Sequence, residues 1–105
     1  MKLTILERIT LAQVLPRESN YVTLKIINDL RMELGFSEKE IKTYGIEEVP
    51  DKDQIKWNNK YETATKEITV GAVAREVICE SFKRLDKAKK INAQNSSLYE
   101  KFMIS

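Results

Sequence analysis

The stretch Val70 to Lys90, VGAVAREVICESFKRLDKAKK, constrains the fold most, because beyond Gly71 it keeps an apolar stripe with no further Gly or Pro. Val73, Val77, Ile78, Phe82 and Leu85 recur at the spacing that gathers side chains on one face of a 3.6-residue helix. Ala74 and Ser81 flank that stripe, and most of the charged residues fall outside it. A helix of this kind packs one side and leaves the other in water, so the chain needs partner elements to cover it.

Those partners are legible upstream. Lys2 to Leu15 reads as a helix, with Thr4 as N-cap and Glu7 at capping-box spacing, and Pro16 ends it because proline lacks an N–H. Asn20 caps a second helix whose Val22, Ile26, Ile27, Leu30 and Leu34 keep helical spacing. Gly35 is expected to take the left-handed conformation that closes this helix. Ser37 and Glu40 then repeat the capping-box signal, with Phe36 and Ile41 placed as a hydrophobic staple, and Gly45 stops a short third helix. So tight a link implies a steep crossing, the corner of a helix-turn-helix.

From Ile46 to Asp53 the chain reads as an acidic loop around Pro50. Beyond it the period changes from 3.6 to 2. Ile55 with Trp57, and Ile68 with Val70, are expected to form the two strands of a hairpin. Its connection is either a tight turn at Asn58-Asn59 or a longer excursion to Thr65. Ile91 anchors the segment after the long helix, and Ser97 with Glu100 signals a last short helix carrying Leu98, Tyr99, Phe102 and Met103. The expected fold is therefore α+β: a single domain, residues 1–105, of about five helices, with a two-stranded β-hairpin inserted before the longest helix.

Composition narrows the chemistry. The 105 residues contain no histidine, which removes the commonest general base and metal imidazole. Three glycines cannot supply a phosphate-cradling loop. The single cysteine, Cys79, excludes an internal disulfide and reads as a small core hydrophobe in a reducing compartment. Glu47, Glu48, Asp51 and Asp53 read as a solvated acidic loop, since they lack the ligand spacing of a calcium loop. No catalytic residue, metal site or cofactor is expected, and the chain is not read as an enzyme. No apolar run is long enough for a membrane span, and no signal-like block opens the chain, so the cytoplasm is the expected compartment.

Two binding readings remain. In the first, the protein acts on another protein or on itself, with Trp57 and Tyr61 as the contact residues, because tryptophan is enriched at interface anchor points and a short hairpin offers little depth to bury it. In the second, helix, corner, short helix and hairpin form a small winged-helix-like DNA-binding regulator. It would use Lys39 and Lys42, or the basic end of the long helix at Lys83, Arg84, Lys87 and Lys90. Eighteen cations against sixteen anions leave only +2, and Glu38 and Glu40 share the would-be recognition helix, so charge favours the first reading.

Several short marks run through nearly the whole chain. They are Val14-Leu15-Pro16 followed by Glu18 and Asn20, the run Thr23 to Ile27, Trp57-Asn58, the Glu67 to Gly71 junction, and Leu98 to Phe102. On these the chain resembles a group of small proteins encoded by tailed bacteriophages and prophages. The resemblance implies a context, that of an accessory protein working in the host cytoplasm or in virion assembly. It carries no catalytic motif and assigns no functional residue.

Overall fold

A computed structural model describes residues 1–49 and 54–104. Among the described residues the chain runs β1 (Lys2–Thr4), α1 (Ile5–Val14), α2 (Tyr21–Leu34), α3 (Glu38–Tyr44), β2 (Glu47–Val49), β3 (Gln54–Lys56), β4 (Thr65–Glu67), α4 (Ala72–Lys87) and α5 (Ser96–Met103), with a 3₁₀ turn at Asn59–Tyr61. The class is α+β, five helices with a β-hairpin ahead of the longest helix.

The helix starts follow their local signals. The Thr4 hydroxyl accepts the Glu7 N–H at 3.2 Å while the Glu7 carboxylate accepts the Thr4 N–H at 3.0 Å. Ser37 and Glu40 form the same reciprocal pair, and the Asn20 side chain accepts the Thr23 N–H. Each arrangement satisfies donors that a helix N-terminus leaves without an intrahelical acceptor. At α5 the Ser97–Glu100 signal is not used. This helix starts two residues earlier, at Ser96 where the signal implies Leu98, with Asn95 before it and no side-chain cap. Ser97 is instead drawn away to donate to Glu7 Oε2.

The strands differ from expectation in their partners. β2 and β3 form the antiparallel hairpin, pairing Glu47 with Lys56, Glu48 with Ile55 and Val49 with Gln54. The second strand lies three residues upstream of the Ile68 and Val70 expected for it, and it does not return against Ile55: Thr65, Lys66 and Glu67 pair opposite Thr4, Leu3 and Lys2. Lys2 to Thr4 is thus the strand β1 and not a first helical turn. Burial explains the choice: Leu3 and Ile68 are both fully buried, and pairing the chain start with β4 places them in one core. Asp51 and Asp53 of the acidic loop lie outside the described residues.

α4 spans the middle of that core. Ala74, Ile78, Ser81 and Phe82 are buried, whereas Val73 is 48% exposed, so the inner face is rotated one position from the stripe anticipated. The small Ala74 and Ser81 permit close approach, and the Ser81 hydroxyl is satisfied by the Val77 carbonyl at 3.0 Å. Ile27, Leu30 and Leu34 of α2, Leu11 of α1, and Leu98 and Phe102 of α5 complete the core. Val22, expected inside, is 66% exposed on α2. Cys79 is half-buried against the same cluster, its thiol 3.7 Å from the Phe102 carbonyl.

The two glycines around α3 behave differently. Gly35 is extended (φ −65°, ψ 165°) and not left-handed, because the α2 carbonyls beside it are satisfied by a side chain from α1. Gly45 does adopt the left-handed conformation (φ 64°, ψ 39°), and its turn returns the Ile46 N–H to the Ile41 carbonyl.

Candidate protein-interaction surface

One residue that the sequence reading passed over fixes this part of the molecule. Arg8 lies on the inner face of α1, three residues from both Ile5 and Leu11, and is 2% exposed. Its Nε donates to the Leu34 carbonyl at 3.2 Å, and one terminal nitrogen donates to the Gly35 carbonyl. The other meets Glu40 Oε2 at 2.7 Å, and the guanidinium carbon stands 4.0 Å from the Phe36 ring centroid. A single planar cation thus satisfies the open end of α2, where positive charge complements the helix dipole, and ties down the start of α3. The hydrogen bond from Arg8, partly opposed by burial, together with the Ser37 N–H, holds the Glu40 carboxyl at about 2. The sequence signal was a charge placed on an apolar stripe.

Arg31 performs a similar service at the end of α1, donating to the Leu15 and Pro16 carbonyls at 2.9 and 3.1 Å. Between these two arginines the surface opens into a groove of about 260 Å³, lined by Arg8, Ile9, Ala12, Gln13, Arg31, Leu34, Gly35, Phe36 and, from the hairpin, Ile55. Its apolar wall comes from three separate parts of the chain. Both arginines already donate to carbonyls within the chain, so what the groove offers is chiefly hydrocarbon and an aromatic ring.

Ile55 also lines a second, more open concavity, with Lys56, Trp57 and Asn59. It is therefore the wall shared by the groove and the Trp57 face. Trp57 is half-buried, which leaves part of the indole available. Tyr61 is also half-buried, its ring 5.1 Å from that of Tyr44, and Lys60 lies over it at 5.9 Å. With the Asn58 N–H bonded to the Tyr44 carbonyl at 2.8 Å, this aromatic pair fastens the segment after the hairpin to the end of α3. Tyr61 is half-buried like Trp57 and packs on Tyr44, while Ile55, which sequence reasoning used only as a strand marker, is more exposed than either.

The basic residues weighed for nucleic acid are all exposed. Lys39 and Lys42 are on α3, while Lys83, Arg84 and Lys87 are on α4 with Lys90 just beyond it, so two separate helices carry them. Exposed Glu38 stands next to Lys39, and Glu47 and Glu48 follow on β2. Glu40 does not join them, because Arg8 holds its carboxylate. Among the described residues no group of three acidic or cysteine side chains converges as a metal site, and no helix is long and apolar enough to cross a membrane.

Comparison with protein-family models, with curated proteins and with solved structures gives no match.

Proposed function

We propose that this protein is a non-catalytic accessory protein of the bacteriophage or prophage type that works by binding another protein. The contact face is the groove of Ile9, Ala12, Phe36 and Ile55, continued by Trp57. The observation that carries this reading is the apolar groove itself, left open between α1 and the hairpin and continuous with an incompletely buried tryptophan. Apolar concavities with an aromatic at the rim are where binding energy concentrates in protein interfaces. A partner presents an apolar segment to Ile55 and Phe36 and packs against the indole.

The test is affinity capture with the wild-type chain beside Ile55→Glu and Trp57→Ala, each first shown to melt within a few degrees of wild type. Loss of a stoichiometric protein from both variants is expected. Unchanged capture by both would reject this face.

A second reading, DNA binding, is favoured by one arrangement: α2, a three-residue link, α3 and then the β2–β3 hairpin occur in the order of a winged helix-turn-helix. Lys39 and Lys42 would face the phosphates. The seven-residue α3 and the acidic residues around it place this reading second. It requires affinity that falls with salt, by about 0.9 in the log–log slope per phosphate neutralised.

A further inference from the structure

α2 has two unlike faces. Ile27, Leu30 and Leu34 are buried, and Leu34 and Arg31 line the groove. On the side away from them Tyr21, Val22, Lys25, Asn28, Asp29 and Met32 are exposed, with Tyr21 at 79% and Met32 at 80%. Residues 21, 25, 28 and 32 are spaced four, three and four apart, the seam that one helix presents to another.

This seam is complementary to itself in one orientation. When a second copy of α2 is laid antiparallel across a two-fold axis between residues 26 and 27, Tyr21 meets Met32 at each end and Val22 lies beside Met32. Lys25 meets Asn28 and lies beside Asp29, so opposite charges come together twice. Among the described residues neither Lys25 nor Asp29 takes part in an ion pair within the chain. A parallel arrangement would instead stack Lys25 on Lys25 and Asp29 on Asp29.

We propose that this face of α2 is a self-recognition surface on which two copies of the chain pair antiparallel, with Tyr21 and Met32 as apolar ends and Lys25–Asp29 as the orienting charges. A helix of 14 residues is about 21 Å long, so the contact belongs to the small class of interfaces and the dimer is weak and reversible. The proposal is independent of the groove, which lies on the other side of α2.

Sedimentation analysis of the full chain from about 5 to 500 µM tests it, a range suited to a contact of this size. The wild type shifts from monomer toward dimer across the range. Lys25→Glu places Glu against Asp29 twice and Asp29→Lys places Lys against Lys25 twice, so each single variant associates roughly tenfold more weakly or worse. Mixed one to one, they restore association, because both cross-pairs are again of opposite sign. Tyr21→Ser with Met32→Ser abolishes association without reversing any charge. All variants alter exposed positions, and their melting temperatures confirm that they are folded. A wild type that stays monomeric throughout, a dimer indifferent to both reversals, or a mixture that fails to recover would overturn the proposal.

Discussion

Arg8 takes a place on α1 where an apolar residue would ordinarily sit, and its guanidinium is divided among two carbonyls and a carboxylate from parts of the chain 26 to 32 residues away. Removing it leaves the Leu34 and Gly35 carbonyls without their side-chain donor and Glu40 without its cation, although Glu40 keeps the Ser37 N–H. Arg8→Ala is therefore expected to cost about 3–5 kcal/mol in denaturant unfolding, the range for breaking one side of a buried pair. Arg8→Lys should recover little of this, because an ammonium lacks the planar fork. The pH dependence has a definite sign. Glu40 titrates at about 2 in the folded chain against an ordinary 4.5, so the unfolded state binds more protons between those values. The contribution is complete above pH 4.5 and is lost as pH falls toward 2. Glu40→Gln should flatten the pH–stability curve in that window; an unchanged slope would show that the pair does not act. Of these contacts the sequence displayed only the capping half, Ser37 with Glu40. The other half was hidden because periodicity records where charges fall, not which distant carbonyls they meet.

At the scale of elements, helix starts were legible and strand partners were not. Thr4, Asn20 and Ser37 cap as their spacing indicates, since the hydrogen bonds involved span three residues. The β1–β4 pairing spans more than sixty residues, and a period of two identifies a strand without naming its neighbour. Gly35 and Gly45 carried the same sequence signal, yet only Gly45 is left-handed, because Arg8 meets the carbonyls at the end of α2. Gly45→Ala should therefore destabilise by about 1 kcal/mol through backbone conformation alone, as a Cβ there meets Asn58 at an ordinary 3.8 Å. Gly45→Asn should cost less, since asparagine tolerates the left-handed region; equal losses in thermal melts would contradict this account. The groove was not readable for a related reason: it exists only once Ile9, Phe36 and Ile55, from three elements, stand together.

Across the whole molecule, the last helix is fastened to the first. Lys101 reaches the Lys2 carbonyl at 2.9 Å and Glu7 Oε1 at 2.6 Å, and the Ser97 hydroxyl donates to the other Glu7 oxygen at 3.2 Å. Burial pushes the Glu7 carboxyl up, but the Lys101 hydrogen bond and charge, with the Thr4 N–H and Ser97 hydroxyl, outweigh it and hold the group below its ordinary value. Its contribution to stability is thus also lost on acidification. Glu7→Ala should cost about 2–3 kcal/mol, as it leaves polar groups at a buried site without their acceptor. Hydrogen exchange should show α5 opening first in that variant; protection unchanged along α5 would mean that its apolar contacts alone hold it.

The account stands on the groove and the Trp57 face taking up a protein. The most direct measurement is affinity capture with the wild-type chain, the Ile55→Glu variant and a Lys39→Ala/Lys42→Ala variant, with and without nuclease, scoring both protein and nucleic acid recovered. The account predicts one stoichiometric protein that survives nuclease, persists with the lysine variant and disappears with Ile55→Glu. Nucleic acid recovered in its place, insensitive to Ile55→Glu and lost with the lysine variant, would contradict it and make α3 the working surface.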